Sequence, residues 1–428
     1  MAAPRKKTTA KKTAAKKTSK KKSTKATKEM TSVEAWVEKM QKSSRYRGTA
    51  QVRMASKTKN PYGLRRPTGK LALDIALGGG LHAGGVIQVQ GPESVGKTQF
   101  TWEVIAHLQM IYGKETKVLI GATELRPDKD QARLAGCCIA YSDDEIADME
   151  KNRKLRGLPA FTPEEKKDLR KQIGEIVIVM GATAEKLLDA LLDALEENIF
   201  HLLIIDSLGA LLPKAKDDTD SLTEKTYGGA SVPITDFMNK LYPILIMDRP
   251  DGSMTETTVL AVNQARARID RKKFERATKE AMGAYAWKHG QLVDILLSRG
   301  AAIRAADKGP KVGYTVNWEL IKGKQGTHDG HRGAYDFYHF ERMQPVFWFD
   351  VEENWRGGVD YFREYAETAK ALGVVEGATW MSFTTGSGDV IKAQGIDAFA
   401  QLLAEDPAVC EELKACCFAK AGVITRHK

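Results

Sequence analysis

The chain has 428 residues, 42% of them hydrophobic and 28% charged, enough for one large core domain with appendages. No apolar run is long enough to span a bilayer, and no apolar segment follows the lysine-rich N-terminus. A membrane-spanning or secreted class is therefore not expected, and the chain reads as cytoplasmic. The net charge of +11 is lodged in one place: residues 1 to 28 hold 12 Lys or Arg and no acid, leaving 54 basic against 55 acidic residues elsewhere.

That tail, within residues 1–30, has almost no apolar bulk to offset its ordering entropy, so disorder is expected, with sequence-independent attraction to nucleic-acid phosphates. Five cysteines in no C-x-x-C spacing fit a reducing compartment and point to no zinc or redox site. Residues 31–66 read as a small module. Val33, Trp36, Val37 and Met40 recur at helical spacing behind a Ser32 cap, a strand is expected over 50–54, and a turn-rich linker follows around Pro61, Gly63 and Pro67.

A core domain is expected over 67–350. Its strongest signal is Gly91-Pro92-Glu93-Ser94-Val95-Gly96-Lys97-Thr98, between the apolar run 86–90 and the helical pattern from Phe100. In this G-x-x-x-x-G-K-[ST] spacing, backbone N–H groups curl around a polyphosphate and the helix N-terminus faces the same charge. Lys97 would pair with the β and γ phosphates, and Thr98 would place its hydroxyl on Mg²⁺. The next strand, 117–122, leads to Glu124, a carboxylate at a strand end well placed to orient water toward a γ-phosphate. Residues 141–174 are highly charged and read as an inserted helical pair or lid. The apolar run 202–205 ends in Asp206, the Walker B arrangement that holds a Mg²⁺ shell. Residues 214–235 are polar and glycine-containing. After the strand 258–264 comes a loop bearing Arg266, Arg268, Arg271, Lys272, Lys273, Phe274 and Arg276. Cations that track phosphates beside an aromatic that can stack on bases suit single-stranded DNA.

The run TGKLALDIALGGGL followed by GPESVGKT resembles the ATPase core of RecA-family recombinases, bacterial RecA and phage UvsX-like proteins included, and the resemblance covers most of 45–418. It implies an α/β fold: a mostly parallel central sheet, a small N-terminal helix-strand module for polymerisation, and a small C-terminal α/β module over 351–428. It makes Glu124 the catalytic glutamate, Asp128 an adenine contact and Gln264 the γ-phosphate sensor. It places 214–235 as a first DNA-binding loop. Lys322 and Lys324 would reach the γ-phosphate of a neighbouring subunit. Gln131 stands where the family stacks an aromatic on adenine. The implied activity is an ATP- and Mg²⁺-dependent helical filament of many copies on single-stranded DNA that pairs it with homologous double-stranded DNA. The implied setting is a nucleoid or the cytoplasm of a phage-infected host. A ring-forming helicase, a KaiC-like ATPase and a DNA-coating architectural protein are the alternatives on this core.

Overall fold

The computed structural model describes residues 31–45, 51–58, 63–123, 127–211, 231–267, 279–281, 285–327, 329–339 and 358–424, with backbone alone over 265–267 and 279–281. The tail 1–30 therefore lies outside the described residues. The chain divides into two compact units, 1–59 and 60–428.

In the first unit the helix Ser32–Gln41 starts in a capping box, Thr31 Oγ1 accepting from Glu34 N at 3.2 Å and Glu34 Oε2 accepting from Thr31 N at 2.8 Å. Val33 and Trp36 on this helix remain 55% and 53% exposed. The strand expected over 50–54 is corrected: residues 51–54 join no ladder among the described residues, although Met54 keeps an extended backbone (φ −70°, ψ 135°). A single extended segment gains nothing from β-propensity without a neighbour to pair with. Gln41 Nε2 donates to Val52 O at 2.7 Å.

The second unit is built on strands β1 (Arg65–Arg66), β2 (Leu81–His82), β3 (Val86–Gly91), β4 (Lys117–Ala122), β5 (Glu175–Met180), β6 (Leu202–Asp206), β7 (Thr258–Ala267), β8 (Lys279–Ala281), β9 (Val293–Arg304), β10 (Lys311–Lys322), β11 (Arg332–Tyr338) and β12 (Gly358–Val359). The central sheet runs β9-β3-β7-β6-β4-β5 in parallel, and β10, β11 and β12 continue it antiparallel beyond β9. β8 pairs antiparallel with the end of β7.

Alternate residues of the central strands feed opposite faces. Ile87, Val89, Val118, Ile120, Leu202, Ile204 and Leu260 join one core with Phe100, Val104 and Leu108 of the helix Lys97–Tyr112. Val86, Leu119, Leu203, Ile205, Val259 and Ala261 join a second core with the helices Ala184–Glu197 and Ser231–Ile246. Burial on both faces is why these strands read as near-continuous apolar runs. The helix Ser231–Ile246 also takes 231–235 out of the polar loop expected over 214–235, whose residues 214–230 lie outside the described residues.

The charged segment 141–174 forms two helices, Asp143–Leu155 and Pro163–Leu169, each opened by a capping box, Ser142 with Glu145 and Thr162 with Glu165. At the C-terminal end, the helices Tyr361–Ala371, Gly395–Glu405 and Pro407–Lys420 pack with the hairpin of β13 (Trp380–Thr384) and β14 (Val390–Gln394). Leu71, from the helix Leu71–Ala76, is part of that same cluster. Asp406 caps the last helix, accepting from Ala408 N and Val409 N, with Pro407 at its first turn.

Candidate functional site: a phosphate loop at the sheet edge

β3 delivers Gly91 to the edge of the sheet, and the helix Lys97–Tyr112 leaves from the other end of the loop. Two glycines make the loop sterically possible. A Cβ at Gly91 would stand 2.6 Å from Leu297 O, and Gly96 has φ 97°. Ser94 is also left-handed, with φ 57°. Val95 anchors the loop in the core, while Glu93 and Ser94 are exposed at its rim. Lys97, 9% exposed, donates from Nζ to Gly91 O at 3.1 Å and Pro92 O at 2.8 Å. Its ammonium thus lies within the cradle, where phosphate oxygens would compete for it.

Thr98 Oγ1 donates to Asp206 Oδ2 at 2.8 Å, joining residues 108 positions apart. A hydroxyl and a half-buried carboxylate, both oxygen ligands and both at the loop mouth, fit a Mg²⁺ ion whose remaining ligands are phosphate and water. Asp206 ends β6 level with Ala122 of β4. The two strand ends are bolted together there: Thr123 N donates to Asp206 O at 2.9 Å, Thr123 Oγ1 to Ser207 O at 2.8 Å, and Ser207 N to Thr123 Oγ1 at 2.6 Å. Glu124 itself lies outside the described residues.

Gln264 is half-buried on β7, in register with Gly91. Lys97, Thr98, Asp206 and Gln264 therefore come to one edge of the sheet, the edge at the carboxyl ends of its parallel strands, where ligands of open α/β sheets bind. Asp128 is already engaged: its Oδ1 accepts from Asp130 N at 2.9 Å and Gln131 N at 3.2 Å, capping the helix Lys129–Leu134. Of the basic loop, Arg266 is placed in β7 by its backbone alone, and Arg268, Arg271, Lys272, Lys273, Phe274 and Arg276 lie outside the described residues.

Lys322 and Lys324 are not at this edge. Lys322 ends β10 opposite Asp294 of β9, which is level with Gln88 of β3. At strand rise that is about 10 Å along the sheet from Gly91, toward the opposite edge. Both side chains turn onto the end of the helix Tyr285–Gly290. Lys322 Nζ donates to Lys288 O and, at 3.3 Å, to His289 O, and Lys324 Nζ donates to His289 O at 3.2 Å. Burial, and then the adjacent Lys324 charge, lowers the Lys322 ammonium below its ordinary pKa. From this edge neither lysine serves its own phosphate loop.

One contact at the loop belongs to no motif. Arg299 of β9 donates from its guanidinium to Ser94 O at 2.5 Å and stacks 4.0 Å over the ring of Tyr314. A Cβ on Gly96 would lie 3.6 Å from the Tyr314 hydroxyl. The pair thus braces the phosphate loop from the β9–β10 side. Arg299 and Ser94 are 205 residues apart, so no local pattern announces it.

Known proteins resemble this chain over most of its length. The RecA N-terminal domain model matches residues 34–133. The chain is 23% identical over 360 residues to protein RecA of a Thermus thermophilus strain, covering 84% of this chain and 86% of that protein. It is 24% identical over 359 residues to protein RecA of Parvibaculum lavamentivorans, covering 83% and 79%. It is 25% identical over 350 residues to protein RecA of Ruminococcus albus, covering 81% and 70%.

Proposed function

From its place in the RecA family we propose that this chain is a DNA-dependent ATPase that assembles as a filament on single-stranded DNA and carries out homologous pairing and strand exchange. The observation that carries the reading is the 2.8 Å pairing of Thr98 with Asp206 beside Lys97, with Gln264 in register with Gly91. ATP with Mg²⁺ would sit there, the loop amides and Lys97 holding the phosphates and Thr98 and Asp206 the ion. Glu124, one residue beyond the Thr123–Ser207 bolt, would orient the attacking water, and the Gln264 amide would sense the γ-phosphate. Arg266 to Arg276 would track the strand.

Two features support assembly from many copies. Lys322 and Lys324 stand away from their own loop, so a γ-phosphate contact from them belongs to a neighbouring subunit. Among the described residues β5 ends the strand order and leaves Val177, Ile178 and Met180 exposed at 43%, 39% and 59%. A bare apolar edge of this kind accepts an extended segment from another chain, and residues 51–54 of a second copy would supply one.

The deciding experiment is ATP hydrolysis by wild type and Glu124→Gln, with and without single-stranded DNA, alongside negative-stain imaging of the same samples. DNA-stimulated hydrolysis that the substitution abolishes while ATP-dependent helical filaments persist is the expected result. Closed rings, or hydrolysis indifferent to DNA, would move the chain to a helicase-like or KaiC-like activity. Wild type that coats DNA without hydrolysing ATP would make it an architectural protein.

A further inference from the structure

The strands that carry the phosphate loop bury a polar cluster where a parallel sheet ordinarily buries aliphatic side chains. Gln88, Gln90, Asn263, Gln291 and Asp294 are each at most 5% exposed. Asp294 sits at its centre. Gln88 Nε2 donates to Asp294 Oδ1 at 3.0 Å, Gln90 Nε2 to both carboxylate oxygens at 3.0 and 2.9 Å, and Gln291 Nε2 to Oδ2 at 2.8 Å. Gln88 Oε1 in turn accepts from Asn263 Nδ2 at 3.0 Å, and Asn263 Oδ1 accepts from the backbone N–H of Gln264 at 2.9 Å.

Stability does not account for this cluster. The buried Oε1 atoms of Gln90 and Gln291 accept no hydrogen bond among the described residues, and burial pushes the Asp294 carboxyl above its ordinary pKa. Aliphatic side chains of similar volume would hold the sheet with neither cost.

Position in the chain gives the cluster its meaning. Gln264 lies two residues before Arg266, and Gln291 follows the helix Tyr285–Gly290 that leads the chain from that segment back to β9. One carboxylate therefore ties together the two elements that flank the basic segment, β7 through Gln88 and Asn263 and the start of β9 directly through Gln291. Lys322 is the register partner of Asp294 on β10, and with Lys324 it rests on the carbonyls of Lys288 and His289, immediately ahead of Gln291.

We propose that Asp294 is a positioning residue that couples the nucleotide-facing Gln264 to the chain returning from the DNA-binding segment through the Asn263–Gln88–Asp294–Gln291 hydrogen bonds. The proposal rests on the roles given above to Gln264 and to the basic segment. Gln88 uses its carbonyl toward Asn263 and its N–H₂ toward Asp294, so a shift of the Gln264 backbone is passed on as a change of partners. Coupling of this kind is reciprocal: if single-stranded DNA tightens nucleotide binding, nucleotide tightens DNA binding by the same factor.

The test uses the full-length chain, a fluorescent ATP analogue and an oligothymidine. Nucleotide affinity is measured with and without saturating DNA, in wild type, Gln88→Met, Gln291→Met and the double variant. Each single variant is expected to cut the factor by which DNA tightens nucleotide binding by about five-fold or more. The double variant should lose no more than the larger single, since both break one chain. Affinity for the analogue without DNA should stay within about two-fold of wild type, a split that general damage to the fold does not produce. An unchanged factor in both singles, or losses that multiply in the double, would overturn the proposal. Should a methionine variant fail to fold, Asp294→Asn, which sets a donor against the donating amides, is held to the same expectation. Wild type that binds the analogue with no response to DNA would instead sink the functional reading on which the proposal stands.

Discussion

At the scale of single residues, the phosphate loop divides into parts that would touch the proposed nucleotide and parts that hold the loop. Lys97 and Thr98 belong to the first class by chemistry, since an ammonium and a hydroxyl are what a polyphosphate and its Mg²⁺ need. Arg299 belongs to the second. A peptide carbonyl and the following N–H point in opposite directions, so a cation on Ser94 O sits on the side of that peptide away from its N–H donor. It restrains the loop and polarises the peptide whose N–H would face phosphate. Arg299→Ala removes one charge-assisted hydrogen bond, about 1.5 kcal/mol, and is expected to weaken ATP binding about ten-fold. Inorganic tripolyphosphate should weaken in step when both affinities are measured by calorimetry. Loss of ATP affinity with tripolyphosphate unaffected would mean that Arg299 contacts the nucleoside instead.

At the scale of elements, the helix Leu71–Ala76 is capped by a residue from far along the chain. Glu364, in the helix Tyr361–Ala371, accepts from Leu71 N at 2.9 Å and Ala72 N at 2.8 Å. Asp74 of the same short helix accepts from Thr68 N and Oγ1, both at 2.8 Å, and from Gly69 N at 3.1 Å. Burial pushes Glu364 up to about 7 and Asp74 up to about 6. The sign follows from linkage. A carboxyl whose folded pKa is raised binds its proton more tightly when folded, so its contribution is fully present below the unfolded value and is lost as pH climbs through the folded one. The melting temperature of wild type should therefore fall between pH 5 and 8 by more than that of Glu364→Gln, which keeps only the Asp74 part of the slope. Parallel curves in a thermal scan series would show that Glu364 does not titrate in this window. This capping contact also marks the limit of what the sequence makes legible. The phosphate loop, the strand ending in Asp206 and the two capped helices of 141–174 are local patterns, each carried within a few residues and visible in the sequence alone. The Glu364 cap, the Arg299 brace and the Asp294 cluster join residues roughly 200 or more positions apart, where periodicity and spacing carry no signal. The strand over 50–54 fails for a related reason, because a strand is defined by its neighbour.

At the scale of the whole molecule, charge is segregated rather than spread. Beyond residue 28 the chain is nearly neutral, with 54 basic against 55 acidic residues, so long-range attraction to DNA has to come from the 12 cations of residues 1 to 28. On the proposed reading, contacts of the basic segment at 266–276 would act only at close range, within a Debye length of about 8 Å at physiological salt. The two roles separate experimentally. For single strands, each phosphate neutralised adds about 0.7 to the slope of log affinity against log salt. A chain lacking 1–28 should bind single-stranded DNA more weakly at low salt, with a shallower slope, and converge on wild type as salt rises. Its ATPase rate at saturating DNA should be retained, since Lys97, Thr98, Asp206 and the cluster around Asp294 all belong to the unit 60–428. Fluorescence anisotropy across a salt series gives the slope, and steady-state hydrolysis gives the saturated rate. A slope equal to that of wild type would place the phosphate contacts entirely in the folded units. A collapse of the saturated rate would mean that the tail takes part in assembling the active filament as well as in drawing it to DNA.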